Sequence, residues 1–292
     1  MADKSSISVA ESRPQMEPPQ VQLGKQWTDI PWWFVAMILI AIWTGYFIFT
    51  RENYREVFDF IKAGLSVTIV TSLVSYGIAL VLGLLAGLGR ISRSVVFNNL
   101  ATLYIELVRG IPMLVLIFFI ALVGVPMVVD GVNALGQWLN SLGLTLVGDL
   151  LTSMENQAVS MNVRAVVALS VTYGAFLAEI FRAGIQSITR GQMEAARSLG
   201  MSYGQAMRYV ILPQAIRNVL PALGNDFVAM VKDSSLVSVL AVRDITQMSR
   251  LYAGRSFRFR EAYITLSVLY LTMTVTLSLI VQFVERRLRR HG

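Results

Sequence analysis

The chain contains no cysteine, and its only histidine, His291, lies one residue from the end. The first absence excludes disulfide bonds and thiol chemistry. Without these two residue types, imidazole catalysis and a histidine-rich metal site have no basis in the sequence. No cluster of other catalytic residue types stands out in the apolar stretches. We therefore expect no catalytic site, no metal site and no bound cofactor.

Lysine is scarce as well, with only Lys4, Lys25, Lys62 and Lys232 in the whole chain. None of them completes the G-x-x-x-x-G-K-[ST] loop that binds the phosphates of ATP. The net charge of +7 comes mostly from arginine. In an apolar chain this charge is typical of cytoplasmic flanks of membrane spans, so we expect no nucleic-acid partner.

Charged residues are missing from four long stretches, 32–50, 63–89, 110–129 and 262–284. A helix needs about 20 apolar residues to cross the hydrocarbon core of a bilayer. Only helices and closed barrels satisfy their backbone there, and these runs are too long for barrel strands. The sequence therefore predicts an all-α, polytopic transmembrane bundle. We predict about six spans, at 32–50, 63–89, 101–125, 162–184, 214–236 and 262–284.

The two ends of the chain are polar. Residues 1–31 hold four prolines and read as a disordered tail rather than a signal peptide. The first span is therefore expected to be retained, with a short external loop up to residue 62. Residues 286–292 are expected to form a basic tail.

The distribution of Lys and Arg predicts the orientation. Residues 111–163 contain neither, which places a long loop at 126–160 outside. Arginines flank the third and fourth spans and close the chain, so both termini are expected in the cytoplasm. One segment disagrees: residues 243–260 contain five arginines, yet the count of six spans places them outside.

A polar segment interrupts the spans with a fixed pattern, Glu194-Ala-Ala-Arg-Ser-Leu-Gly200, and nine residues later Val210-Ile-Leu-Pro213. Capping boxes at Thr189-x-x-Gln192 and Ser202-x-x-Gln205 predict two short helices. Gly200 suits the left-handed residue that ends the first helix, and Pro213 suits a boundary. Such a segment is a candidate docking surface for a partner, although an amphipathic loop lying on the bilayer has a similar composition. The candidate docking residues are Glu194, Ala195, Ala196, Arg197, Leu199, Gly200, Leu212 and Pro213.

This segment resembles the EAA loop of bacterial ABC-importer permeases. Further segments look like those of polar amino-acid permeases, namely Tyr104 to Pro112, Ala178 to Ser187, Leu212 to Pro221 and Lys232 to Ser238. Together they cover about residues 63–125 and 162–285, and they identify the chain as a member of the type I ABC importers for polar amino acids. Many relatives lack the first span and have a short loop at 126–160.

The resemblance implies a type I permease fold over 63–285, with an EAA coupling loop at 189–213. It also implies a multi-pass protein of the bacterial plasma (inner) membrane that performs no chemistry itself. Its partners would be a cytoplasmic ATPase dimer, an extracytoplasmic substrate-binding protein and a second permease copy, identical or related. A polar amino acid would cross the bilayer by alternating access.

Ionisable residues within spans are costly and usually pair or line a pathway. Glu106 with Arg109, and Glu179 with Arg182, have the i,i+3 spacing of ion pairs and could hold a zwitterionic amino acid. Alternatively, each pair lies at the cytoplasmic mouth and only fixes helix packing.

The predicted fifth span carries the other pathway candidates, Asn225, Asp226, Lys232 and Asp233. These residues could instead form a polar interface between two copies of the subunit. The alternative function is an ion-gradient-driven secondary transporter or channel, which the glycine and the proline within this span would suit. Elsewhere, Gly83-x-x-x-Gly87 predicts a close helix contact.

Overall fold

The computed structural model describes residues 32–153 and 155–289 of the chain. These residues form helices and connecting turns without a β-strand, which confirms the predicted all-α class. In chain order the α-helices are α1 (Trp32–Thr50), α2 (Glu52–Ile61), α3 (Leu65–Arg90), α4 (Val95–Gly110), α5 (Met113–Phe119), α6 (Val125–Ser141), α7 (Thr145–Thr152), α8 (Met161–Gln186), α9 (Arg190–Ser198), α10 (Tyr203–Ala206), α11 (Leu212–Asp233), α12 (Ile245–Ser256) and α13 (Phe259–Arg289).

Four helical stretches of the described chain are long and apolar enough to cross a membrane. They are Glu52–Arg90, Met113–Ser141, Met161–Gln186 and Phe259–Arg287, and a shorter apolar helix covers Val35–Ile48. The predicted fifth span, 214–236, is helical as α11 up to Asp233 but is not among the four, since its charged residues interrupt the apolar run.

The predicted bounds of the third span, 101–125, are wrong. The helix ends at Gly110, and a new one starts at Met113. Ile111 is extended (φ −104°, ψ 136°) because the ring of Pro112 disfavours helical geometry in the residue before it. The second helix then runs on to Ser141, so the predicted loop 126–160 is largely helical, with α7 following.

Two prolines are accommodated inside long helices by π-helical turns. Residues Ile120–Gly124 form such a turn ahead of Pro126, and Met207–Ile211 form one ahead of Pro213. Proline has no N–H and its ring collides with the carbonyl one turn earlier, so a wider turn removes the conflict. The helix therefore continues through Pro213, where the sequence predicts a boundary.

The first π-helical turn is held by a buried arginine near the start of α8. The Arg164 side chain is 8% exposed and donates to the carbonyl of Ala121 within the turn at 3.0 Å. It also donates to the carbonyls of Asn156 (2.7 Å) and Val159 (3.0 Å). These acceptors offset the desolvation of the guanidinium and fix α8 to the α5–α6 helix.

The core of the bundle is the packing of α3 on α8. One face of α3 is buried and lined by small residues, Thr68, Thr71, Ser72, Ser75, Ala79, Gly83 and Gly87. A Cβ at Gly83 would lie 2.6 Å from the Cβ of Leu177, and one at Gly87 would lie 2.8 Å from the carbonyl oxygen of Ala178. The predicted close helix contact at these two glycines is confirmed, since only glycine permits this approach.

At the other end of α3, the turn before α12 packs against the start of the span. Asp244 caps α12 by accepting from the backbone N–H of Thr246 (3.2 Å) and Gln247 (2.9 Å). Burial raises the pKa of the Asp244 carboxyl, although these donors act in the opposite direction. A Cβ at Gly64 would meet the Asp244 backbone at 2.6 Å, so this junction also needs glycine.

The chain divides into two compact units. The first ends at Ile40 within α1, and the second starts at Ala41 and holds all the elements discussed below. The predicted tail at 1–31 lies outside the described residues, as does the end of the predicted basic tail, whose residues 286–289 belong to α13.

Candidate functional site

The predicted docking segment is a helix–turn–helix unit that satisfies its own backbone. After α9, Gly200 is left-handed (φ +85°), as its sequence position predicts. Its N–H donates to the Arg197 carbonyl at 3.0 Å, and the N–H of Met201 donates to the Ala196 carbonyl at 3.2 Å, which is a Schellman motif. The turn that follows α9 is therefore defined by local hydrogen bonds.

The next helix starts with the predicted capping box. Ser202 Oγ accepts from the Gln205 N–H at 3.3 Å, and the Gln205 side chain accepts from the Ser202 N–H at 2.8 Å. The box predicted at Thr189 is wrong, because the Thr189 side chain makes no capping hydrogen bond. The Gln192 N–H donates instead to the Thr189 main-chain carbonyl at 3.1 Å, as in an ordinary helical turn.

The predicted docking residues separate into an outer and an inner set. Leu199 is 81% exposed, and it shares the outer surface with Glu194, Ala195, Arg197 and Gly200. Ala196 is only 4% exposed and lies against its own chain, so it anchors α9 rather than contributing to a docking surface. Two exposed tyrosines that the sequence does not single out, Tyr203 (61%) and Tyr209 (65%), extend the outer surface.

The docking segment leads without a break into α11. Residues 203–233 form one helical rod, with α10, the π-helical turn and α11 in succession. Gln214 on this rod donates to Gln192 of α9 at 3.4 Å, and Asn218 donates to Ser187 at the end of α8 at 2.9 Å. These two hydrogen bonds connect the rod to α9 and to the end of α8.

A charged network joins the ends of α3, α4 and α8. Glu179 accepts from Arg182 on its own helix at 2.9 Å, which confirms one predicted i,i+3 pair. Arg90, at the end of α3, bridges Glu179 (3.2 Å) and Glu106 (2.8 Å). The side chains of Arg90, Glu179 and Arg182 are 23–28% exposed, while that of Glu106 is 61% exposed.

The other predicted pair, Glu106 with Arg109, does not form. Glu106 binds Arg90 of another helix, and the Arg109 guanidinium lies 5.8 Å from the ring centre of Phe176. The spacing alone permits the pair. In the packed bundle, however, Glu106 contacts an arginine of α3, and Arg109 contacts an aromatic ring of α8.

A second polar cluster lies deeper, where α3, α8 and α11 meet. The Tyr173 hydroxyl donates to Asp233 at 2.7 Å, and the Tyr76 hydroxyl donates to the Leu223 carbonyl at 2.5 Å. Asp226 lies two turns before Asp233 on the same face of α11, and its Oδ2 is buried with no hydrogen-bond partner among the described residues. Neither aspartate forms an ion pair within residues 32–153 and 155–289. We call Tyr76, Tyr173, Asp226 and Asp233 the acidic–tyrosine cluster.

The remaining candidates of α11 are not part of this cluster. Asn225 and Lys232 are exposed on the surface of the single chain. A cleft of about 690 Å³ between α8 and α11, lined in part by Gly184, Arg217 and Asn218, contains none of the sequence-predicted pathway residues. Of the four candidates on α11, only Asp226 and Asp233 therefore belong to the acidic–tyrosine cluster.

Sequence reasoning does not single out Arg90, Tyr76 or Tyr173 as site residues. For the tyrosines a signal exists, because a hydroxyl within an apolar span needs a partner and so marks a polar contact. Arg90 ends a span and is interpreted from sequence only as an orientation signal.

Comparisons with known proteins fit this architecture. The family model described as "Binding-protein-dependent transport system inner membrane component" matches residues 79–290. This chain belongs to that family. The permease is 38% identical over 223 residues to the probable glutamine ABC transporter permease protein GlnM of Bacillus subtilis, covering 76% of this chain and 90% of that protein. It is 34% identical over 226 residues to the glutamine transport system permease protein GlnP of Escherichia coli, covering 77% and 91%.

A solved structure agrees in fold as well as sequence. The permease superposes with a TM-score of 0.63 and 35% identity on a chain of a structure titled "Crystal structure of an amino acid ABC transporter with histidines", covering 78% of this chain and 94% of that one. The protein is thus an amino acid ABC transporter permease, a membrane-embedded transport component rather than an enzyme. Its family works with an ATPase and a substrate-binding protein. The alternative of an ion-gradient-driven transporter or channel receives no support from these comparisons.

Proposed function

We propose that this permease moves a polar amino acid across the bacterial inner membrane by alternating access, driven by a separate ATPase that docks on residues 189–213. The observation that carries the proposal is the continuity of the docking segment with the rod 203–233. The chain has no phosphate-binding loop of its own, so a partner must supply ATP hydrolysis.

The coupling step follows from this continuity. The docking segment exposes a leucine directly after α9 and two tyrosines in and after α10, besides Glu194 and Arg197, which suits a groove on a partner. Because Gly200 and Ser202 fix the turn locally, the unit moves as one body when the partner moves. The Gln192–Gln214 hydrogen bond and the continuous helix then carry that motion towards Asp226 and Asp233.

The acidic–tyrosine cluster is the proposed contact for the substrate. Every amino acid carries an α-ammonium group, and two carboxylates without a basic partner favour such a cation in a low-dielectric site. The relatives named for glutamine support an amino acid with a polar side chain. In the charged network, Glu106 and Glu179 balance the charges of Arg90 and Arg182, which supports its alternative role of fixing three helices.

One docking segment per chain suggests a permease pair on an ATPase dimer, with the binding protein on the opposite side. Exposed residues of α11 such as Asn225 and Lys232 are candidates for contact between the two permeases. The low Lys and Arg content of 111–163 supports placing that region outside and both termini in the cytoplasm.

The docking assignment is tested by charge reversal. We expect Glu194→Arg, and Gly200→Trp at the left-handed position, to abolish ATPase co-purification and uptake while membrane insertion stays normal. Glu155→Arg makes the same charge change at an exposed residue outside the segment and should leave both unchanged. Normal ATPase binding and uptake in both docking variants would contradict the assignment.

The substrate contact is tested by removing the unpaired carboxylate. In Asp226→Asn the KM for uptake should rise about tenfold or more, because a charge-assisted hydrogen bond contributes about 1.5–3 kcal/mol. Tyr173→Phe, which removes the hydroxyl that positions the Asp233 carboxylate, should also raise the KM, whereas ATPase co-purification stays intact in both. Ile216→Ala, at an exposed position of the same helix, is the control. An unchanged KM in both variants would show that the cluster contributes only to helix packing.

A further inference from the structure

The junction between α12 and α13 alternates arginines with exposed phenylalanines. Its residues are Arg255, Phe257, Arg258, Phe259 and Arg260, and we call them the basic–aromatic junction. The junction lies at the start of Phe259–Arg287, a helix of membrane-spanning length. The start of a span is at the level of the lipid headgroups. The junction is therefore placed where a protein meets lipid phosphates.

Phe257 is held outward at a cost to the backbone. Its φ is +57°, in the left-handed region that L side chains rarely adopt, and its side chain is 79% exposed. Phe259 is 50% exposed, with its ring centre 6.5 Å from that of Phe257. Stability in water alone would favour glycine and a polar residue here. An apolar environment outside the protein accounts for both rings.

The arginines of the junction are not equally neutralised. Arg258 is bound to Glu56 of α2 at 2.7 Å. Arg255 lies over the ring of Phe60, 4.1 Å from its centre, and has no ion pair in the described part of the chain. Arg260 is 78% exposed, and its one carboxylate contact is the adjacent Glu261 at 3.3 Å. Arg255 is therefore the arginine of the junction without a carboxylate partner among the described residues, and the Arg260 side chain remains largely accessible beside Glu261.

Arginines beside exposed phenylalanines fit a ligand that has both an anionic and an apolar part. We infer that the basic–aromatic junction binds the headgroup of an anionic phospholipid, with the arginines on its phosphate and the phenylalanines at the top of its acyl chains. A guanidinium matches phosphate geometry with two parallel hydrogen bonds. A lipid places phosphate and hydrocarbon side by side, whereas a polar amino acid or an acidic protein surface offers no partner for two exposed phenyl rings.

This site accounts for three of the arginines that the predicted orientation leaves unexplained. Residues 243–260 are expected outside, where Lys and Arg are usually sparse, yet they hold five arginines. A lipid contact gives the three arginines of the junction a role on that side of the membrane. The inference does not depend on which solute the permease transports.

Lipid titration of the thermal unfolding midpoint tests the inference with the purified full chain in detergent. Phosphatidylglycerol should raise the midpoint, and phosphatidylcholine with the same acyl chains should not. In Arg260→Gln the half-saturating phosphatidylglycerol concentration should rise about fivefold, as expected for one surface arginine. Phe257→Gly should also weaken the response without lowering the midpoint in the absence of lipid, because glycine accepts the left-handed backbone.

Arg243→Gln is the matched control, since it removes one exposed arginine of the same segment ahead of α12. Its titration should equal that of the unaltered chain. The inference would be overturned if Arg260→Gln and Phe257→Gly gave the same titration as the unaltered chain. It would also be overturned if Arg243→Gln weakened the response as much as Arg260→Gln. An equal rise of the midpoint with phosphatidylcholine would also contradict it. If Arg260→Gln lost affinity for the binding protein but kept an unaltered lipid titration, the junction would be a protein contact instead.

Discussion

At the scale of single residues, Glu179 holds the charged network together. Among the residues that the structure describes, it is the one carboxylate that binds arginines of two helices, Arg90 of α3 and Arg182 of α8. All three side chains are about three-quarters buried, so water replaces a lost contact poorly. Glu106, by contrast, contacts only Arg90 and is mostly exposed.

We therefore predict different results for two equivalent substitutions. Glu179→Gln leaves two partly buried guanidinium groups without their common partner, and should lower the free energy of unfolding by about 1–2 kcal/mol. Uptake should fall as well, without loss of ATPase docking. Glu106→Gln should change the free energy of unfolding by less than about 0.5 kcal/mol, as is usual for an exposed ion pair. Thermal unfolding in detergent and transport assays would measure both, and equal destabilisation would show that Glu179 is not central.

At the scale of helices, the approach of α3 to α8 depends on the absence of side chains. A Cβ at Gly83 of α3 would lie 2.6 Å from the Cβ of Leu177 on α8, and a Cβ at Gly174 of α8 would lie 3.0 Å from the Cβ of Leu82 on α3. Because the lipid is as apolar as the helix surfaces, the hydrophobic effect does not hold the two helices together. Dispersion forces at this tightly packed contact do so instead.

One helix provides both a test and its control. Gly83→Ala should destabilise the fold by about 1–3 kcal/mol, because the new methyl group collides with the Cβ of Leu177. Gly77→Ala changes the same helix at a site with no neighbour within 4 Å, and should be neutral or stabilise by up to about 1 kcal/mol. Comparison of melting curves in one detergent would be decisive, and similar curves for the two variants would contradict this packing.

At the scale of the whole molecule, the crossing of the membrane by α11 determines which later segments lie on which side. Four helical stretches of the described chain have membrane-spanning length, and α11 is not one of them. Whether α11 crosses decides the side of α12 and of the basic–aromatic junction.

The absence of cysteine makes this question directly measurable. In spheroplasts, a membrane-impermeant maleimide should label Ser153→Cys and Gly254→Cys, both at exposed positions. Ser198→Cys, in the docking segment, should react only after permeabilisation. If Gly254→Cys also required permeabilisation, α11 would not cross and the predicted orientation of α12 would be wrong.

The class of the protein and the shape of the docking segment follow from the sequence because both are local properties. Uncharged runs identify spans residue by residue, and Gly200 and Ser202 define their turn through hydrogen bonds within six residues. The bounds of the third span were not predictable in this way. Hydropathy continues through Gly110 to Pro112, and the break there depends on backbone sterics rather than polarity.

The members of the candidate site, by contrast, are fixed by contacts between distant parts of the chain. Glu106 pairs with Arg90 rather than Arg109 because packing of α3 on α4 brings the two together. Tyr173 meets Asp233 across 60 positions of sequence. Spacing along one helix shows which charges can meet, but the crossing of three helices determines which do. Only the tertiary structure therefore reveals that Asp226 has no basic partner within the described ranges 32–153 and 155–289.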